Sequence, residues 1–514
     1  MPWHREPPAR QRHILMPLEL DGNSLSIADT CAAARSRTAA VVLTPAARAA
    51  MERSRAVVDR LAAGDDPIYA VNTGVGYLAG VRIPREDLEQ LQRNVVRSHA
   101  AGVGEPLARE VVRAMMLIRA NVLAKGFSGI RPLVAERLCE MLARGVTPIV
   151  PSQGSVGASG DLAPLAHIAL VLIGEGQAEF EGAVLDGGEA LQRAGIQAVA
   201  LHPKEGISLI NGTQAMLAIG CLELDAAETL ANTADVVAAL TLDAQRGTPR
   251  AFDPRIHRAR PQTGQIQSAA RLVRFFEGSE IRESHRGCGR VQDAYSLRAI
   301  PQVHGAVFDT LAEARRVFAI EVNSATDNPL VFDGEILSGG NFHGEPVALQ
   351  LDYLAIALAA LAGISERRID RLVNPALNEG LPAFLAGHPG LESGLMMAQV
   401  TAASLVAEIR VLANPASTGS ITTSGNKEDF VSMGMTSAVK LQRVTRDARY
   451  VLAIEALCAA RALDLLAPLK TSPTLEQARE RIRAVSPSLA SDRPLHGDIA
   501  ALETLIESGN LQLA

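Results

Sequence analysis

The chain has 514 residues, of which 47% are hydrophobic, 21% charged and 3% aromatic, and its formal charge is −6. That balance is typical of a soluble globular protein, and the net negative charge gives no electrostatic case for binding nucleic acid. With so few aromatics the apolar volume must come from Ala, Leu, Val and Ile, which favours packed helices over an aromatic-rich sandwich. A length prior gives roughly three domains, although one large helical enzyme also fills this length.

The five cysteines, Cys31, Cys139, Cys221, Cys288 and Cys458, include no CxxC pair. Their odd number fits a reducing cytoplasm and gives no zinc pattern. The N-terminus carries charge but no apolar signal core. The longest apolar region, 354–364, is too short to span a membrane. The expectation is a cytoplasmic protein with no membrane role. Mixed-charge runs such as Ser365-Glu366-Arg367-Arg368-Ile369-Asp370 read as solvated helix faces.

Residues 1–16, rich in Pro, Arg and His, read as a mobile tail. Helical spacing runs through 26–60. Ile68-Tyr69-Ala70-Val71-Asn72-Thr73-Gly74-Val75-Gly76 reads as a short extended segment entering a Gly-rich loop. No GK[ST] follows and GxGxxG is absent, so a nucleotide loop is a weak reading. A helix over 88–96 leads to Ser98-His99-Ala100-Ala101-Gly102, where His99 alone reads as a structural histidine. Val111, Met115, Ile118 and Val122 form a 3.6-period stripe, with the methionines as core. Lys125-Gly126 stops that helix, and a second one covers 133–144.

Next comes Gly154-Ser155-Val156-Gly157-Ala158-Ser159-Gly160-Asp161-Leu162-Ala163-Pro164, a small-residue loop that becomes a helix start. Asp161 can accept from free backbone N–H groups, and Pro164 is tolerated in a first turn. The Ala158-Ser159-Gly160 triplet therefore precedes a helix N-terminus, where partial positive charge collects. Attack of the Gly160 nitrogen on the Ala158 carbonyl would close a five-membered ring, and Gly fits because it lacks a Cβ. Loss of water from Ser159 would then leave an exocyclic methylidene. A lone Ala-Ser-Gly reads as a flexible loop.

Beyond it the sequence predicts a hairpin over 178–185 and a long helix opening at 205–214 and running to about residue 242. Asn211 is a turn residue or a site residue. Gln292, Tyr295 and Arg298 lie three apart, which puts them on one face of a helical turn; a polar surface stripe is the alternative. Helices are predicted over 306–322, 347–372, 393–413 and 432–466, with shorter ones after 468. Glu428 and Asp429 either cap the 432–466 helix or serve a site. The predicted fold is mainly α: a long central bundle, an N-terminal region carrying the Ala-Ser-Gly loop, and a few short strands. The expected division is 1–16, 17–215 and 216–514.

These segments together resemble the aromatic amino acid ammonia-lyases. The motifs are Tyr69 to Gly76, Ser98 to Gly104, Gly154 to His167, Leu209-Ile210-Asn211-Gly212-Thr213-Gln214, Gln292 to Ala306, Asn323 to Pro329 and Thr423 to Met433, in the family's order. Departures are Ala70, Val75, Ile409-Arg410, Thr418-Gly419, Lys427 for a usual Gln and Phe430 for a usual His. The resemblance implies a carbon–nitrogen lyase with no external cofactor and no metal, using a self-formed 4-methylidene-imidazol-5-one made from Ala158, Ser159 and Gly160. It implies Tyr69 as the base, with Tyr295 and Glu428 also catalytic. His99, Asn211, Gln292, Arg298 and Phe342 would bind substrate, and Asp161 would assist ring formation. It also implies homotetramers whose sites are shared between subunits. Glu428 falls where the histidine-acting branch carries Glu and the tyrosine and phenylalanine branches usually carry Gln. The expected reaction is L-histidine to trans-urocanate and ammonia, the opening step of histidine breakdown. The alternative is a tyrosine or phenylalanine ammonia-lyase or aminomutase. A fumarase/aspartase-type lyase lacks its Gly-Ser-Ser-x-Met-Pro loop here, and a helical scaffold without chemistry would not need Ala158-Ser159-Gly160 and Tyr69 intact.

Overall fold

The structure, a computed structural model, describes residues 17–513. Four long helices form its centre: Gln214–Ala244, Ile300–Glu321, Glu345–Val373 and Gly434–Leu465. They are rich in Ala, Leu and Val, and the first and last are buried on nearly every side. Small side chains let helix axes approach closely, so the predicted lack of aromatic bulk is met by tight helix packing. Met396–Leu412 runs along the Glu345–Val373 and Gly434–Leu465 helices, and Thr263–Phe275 along Ile300–Glu321.

A buried polar network ties the four helices together. Arg368 forks onto Glu455 at 2.6 and 2.8 Å, and both side chains are fully buried. Thr241 and Ser365 donate to the two Glu455 oxygens at 2.7 and 2.6 Å. Arg368 also lies 3.3 Å from His304 Nε2, and His304 Nδ1 lies 2.7 Å from Asp235. A guanidinium can only donate, so Nε2 accepts and Nδ1–H donates to Asp235. Burial lowers the His304 pKa, in keeping with a neutral ring. The 365–370 run is thus no solvated face: Ser365, Glu366, Arg368 and Ile369 are buried. Mixed charge looked like surface because its partners come from other helices.

Glu345–Val373 is also long and apolar enough, by length and composition, to cross a bilayer, which corrects the shorter 354–364 reading. Its inner face packs in the bundle, as a core helix does.

The N-terminal part departs from prediction in two places. Residues 26–60 form two helices, Ile27–Arg35 and Pro45–Ala62, separated by the strand Val41–Leu43. That strand pairs in parallel with Leu18–Leu20. The 68–76 segment is a turn rather than an extended run, with Ala70 at φ 58°. The helices Leu88–His99, Arg109–Ala124 and Pro132–Arg144 match expectation, as does the hairpin of Gln177–Phe180 with Ala183–Asp186. Arg109–Ala124 is buried all round, methionines included. The predicted tail, 1–16, lies outside the described residues.

Candidate active site

The helix Leu162–Leu172 begins directly after the Ala158-Ser159-Gly160-Asp161 run, as predicted. Asp161 does not cap it. Its Oδ2 accepts from the Ala215 and Met216 N–H groups, both at 2.9 Å, so it caps Gln214–Ala244 instead. Its Oδ1 accepts from Ser155 Oγ at 3.0 Å. Burial pushes the Asp161 carboxyl up to about 6, against the lowering effect of those donors.

The 205–244 region is two helices, not one. Glu205–Ile210 ends at Asn211, Gly212 has φ 149°, and the second helix starts at Gln214. The break meets the triplet directly. Asn211 Nδ2 donates to the Ser159 carbonyl oxygen at 2.8 Å, and the Asp161 N–H donates to the Gly212 carbonyl oxygen at 2.7 Å. Gly160 sits at φ 72°, and a Cβ there would stand 2.2 Å from the Gly212 oxygen. Only glycine fits that backbone-to-backbone approach.

The 423–433 segment closes over the loop. Ser159 Oγ donates to Glu428 Oε1 at 2.9 Å, while Thr423 and Ser424 hydroxyls donate to Oε2 at 2.6 and 2.8 Å. Glu428 therefore faces the triplet and does not cap the helix, which begins at Gly434 behind Met433. The Met433 N–H donates to the Val156 carbonyl oxygen at 2.9 Å. Tyr69 is half-buried, and its hydroxyl oxygen accepts from the Gly76 N–H at 3.1 Å. The following 76–80 turn packs on 424–426, with Tyr77 against Gly425, so the Tyr69 loop adjoins the Glu428 loop.

His99 ends its helix with Nδ1 2.7 Å from the Val95 carbonyl oxygen. The chain leaving it passes Gly154, whose Cβ would stand 3.1 Å from Gly102 Cα. Phe342 is half-buried in the loop before Glu345–Val373, and the neighbouring His343 stacks on Phe430 with centroids 5.8 Å apart.

Gln292, Tyr295 and Arg298 lie elsewhere. The helical turn covers only Tyr295–Arg298, so Gln292 precedes it in irregular chain and the shared-face expectation fails for that residue. Tyr295 is 74% exposed, and Arg298 lies over its ring at 4.6 Å. Among the described residues no hydrogen bond or ion pair links these three to the 154–161 loop of the same chain. Nor is any group of three or more His, Cys, Asp or Glu placed to hold a metal ion there.

Sequence reasoning missed Ser155, Gly212, Thr423 and Ser424, which hold Asp161, Gly160 and Glu428. All four lie inside or beside motifs already singled out, but only their tertiary partners reveal their use.

A family model described as aromatic amino acid lyase matches residues 25–484, from the first helix to past the bundle. The chain belongs to the aromatic amino acid lyase family. This lyase is 60% identical over 511 residues to histidine ammonia-lyase of Koribacter versatilis (strain Ellin345), covering 97% of this chain and 99% of that relative. It is 55% identical over 507 residues to histidine ammonia-lyase of Anaeromyxobacter sp. (strain K), covering 96% and 99%. Among solved structures, histidine ammonia-lyase from Trypanosoma cruzi superposes with TM-score 0.89 at 42% identity, covering 96% of this lyase and 94% of that chain. Tyrosine aminomutase from Streptomyces globisporus superposes with TM-score 0.92 at 40% identity, covering 96% and 98%. Shared fold thus does not separate substrates within the family, and the separation must lie in side chains.

Proposed function

We propose that this lyase removes ammonia from L-histidine to give trans-urocanate, in the cytoplasm, using an electrophile formed from its own Ala158, Ser159 and Gly160. The observation that carries the reading is the setting of Ser159, between Glu428 on its hydroxyl and Asn211 on its carbonyl. Relatives named histidine ammonia-lyase at 50–60% identity over nearly their full length support the substrate. The five cysteines, all free, are in keeping with a reducing compartment.

The residues present fit the ring. Gly160 holds a left-handed φ against Gly212, Ala158 adds little bulk, and the Ser159 carbonyl already has a side-chain donor. When formed, the ring supplies an electrophilic carbon that makes the substrate amine a better leaving group. Asn211 Nδ2 then faces the oxygen on which negative charge develops, and such preorganised donors are often worth about 3–4 kcal/mol. Tyr69 takes the β-proton of the substrate as general base. Glu428 and His99 orient the imidazole, Glu428 from a carboxylate already fixed by Thr423 and Ser424. Arg298 forks onto the substrate carboxylate. Gln292, Tyr295 and Phe342 position the substrate or line the pocket, and Asp161 supports ring formation.

Because Gln292, Tyr295 and Arg298 do not meet Ser159 within a chain, this reading needs a second subunit to deliver them. We therefore propose a homotetramer with shared sites. Exposed Leu349, Tyr353 and Ile356 on the outer face of Glu345–Val373, with Met397 and Val400 on Met396–Leu412, offer apolar surface for that assembly. In this reading the unit 17–215 carries Tyr69, His99, the triplet and Asn211, and the unit 216–514 carries Glu428.

The test is urocanate absorbance on adding L-histidine to wild-type protein and to Ser159→Ala. Wild type produces urocanate, and the variant falls by at least about 10³-fold, since the covalent route is removed. Equal rates in the two proteins would remove Ser159 from the mechanism.

A further inference from the structure

Gly160 is clamped at both of its peptide planes by the 211–212 break. Asn211 Nδ2 holds the carbonyl of the plane before it, and the Gly212 carbonyl holds the N–H of the plane after it. What holds the break is Arg119, from the middle of Arg109–Ala124. Its Nη1 donates to the Asn211 carbonyl oxygen and to Gln214 Oε1, both at 2.9 Å, and its Nη2 donates to the Ser208 carbonyl oxygen. Gln214 Nε2 passes the contact on to Thr326 Oγ1 at 2.8 Å. A Cβ on Gly212 would stand 2.7 Å from Arg119 Nη1, so the guanidinium lies directly against that glycine.

Arg119 is 1% exposed, makes no ion pair among the described residues, and leaves Nε without a partner. Burial pulls its pKa down to about 10, offset only partly by Asp327, whose own buried oxygens have no hydrogen-bond partner. A buried charge answered by neutral acceptors lowers stability. What a guanidinium supplies is a rigid fork that reaches several acceptors at once.

We propose that Arg119 is a positioning residue for ring closure: it fixes the 208–214 break so that Asn211 and Gly212 hold Gly160 in the shape that cyclises. The inference rests on the electrophile reading above. Closure forms the bond from the Gly160 nitrogen to the Ala158 carbonyl carbon. The Ala158 oxygen leaves as water with the Gly160 and Ser159 N–H protons. Ser159 loses its Cα proton and Cβ hydroxyl as a second water, and no oxidant is needed.

The test is mass spectrometry of folded, purified protein, with a peptide map across 154–167, for wild type, Arg119→Met, Arg119→Lys, Gln214→Met and Arg113→Met. Arg113 is the control. It lies on the same helix, is equally buried and donates to the Leu142 carbonyl oxygen at 3.1 Å, away from the break. Melting temperatures report the stability lost in each. Wild type and Arg113→Met should lack two waters throughout. Arg119→Met should retain them in more than half of the molecules, with Arg119→Lys and Gln214→Met intermediate. Where Arg119→Met does not fold, the latter two carry the test. Complete water loss in the folded Arg119 and Gln214 variants would overturn the inference. Wild type without water loss would instead overturn the electrophile reading, and this inference with it.

Discussion

At the scale of residues, Asp161 shows what a linear reading misses. The sequence predicts a capping acceptor at a helix start, and the side chain does cap, but it serves the helix that begins at Gln214. Capping preference is local, whereas the choice of helix depends on which N-terminus arrives beside it. The same burial makes a pH prediction. The folded carboxyl sits at about 6, above its ordinary 3.8, so the folded chain binds this proton more tightly than the unfolded one. Its contribution is fully present below about pH 4 and is lost as pH rises through about 6, a change on the order of 3 kcal/mol. Asp161→Asn, which does not titrate, should flatten the stability slope in that window, measured by urea unfolding at steps of pH. An unchanged slope would show that Asp161 does not titrate there. Tyr69→Phe removes the proposed base while keeping the ring, and kcat should fall by about 10²–10⁴-fold in the urocanate assay. Near-normal turnover would remove Tyr69 from that role.

At the scale of elements, the long helices were legible because their apolar spacing is sustained: Glu345–Val373, Met396–Leu412 and Gly434–Leu465 end within a few residues of prediction, while Ile300–Glu321 starts ahead of the expected 306. Interruptions were not. The strand Val41–Leu43 hides in a stretch with helical spacing because its partner is Leu18–Leu20. The break at 211–213 hides because Asn211 and Gly212 are fixed by Arg119 and Gly160, neither of which is near them in sequence. Arg368 looked like surface for the same reason. Removing its partner tests that assignment: Glu455→Gln leaves Arg368, Thr241 and Ser365 short of a buried acceptor charge. It should destabilise by about 3–5 kcal/mol, read from the denaturation midpoint. A loss within the range of an exposed ion pair, about 0–1 kcal/mol, would contradict the network's role.

At the scale of the molecule, family and fold class were readable because motifs recur in fixed order from Tyr69 to Asp429. The proposed assembly rests on resemblance alone in the sequence, since no local pattern there sets Tyr295 against another chain. Its 74% exposure, and the apolar Leu349, Tyr353 and Ile356, are in keeping with a partner surface. A charged substitution there, Tyr353→Asp, should yield a smaller species in sedimentation with helicity retained and urocanate formation lost. A dissociated variant with full activity would place a complete site within one chain.

The role proposed for Glu428, which is held beside Ser159, is the selection of histidine. Its most direct test is an ultraviolet progress assay with L-histidine, L-tyrosine and L-phenylalanine in parallel, since each conjugated acid product absorbs where its substrate does not. Absorbance should rise with L-histidine alone. A rise with L-tyrosine or L-phenylalanine in place of histidine would keep the family and contradict the role given to Glu428.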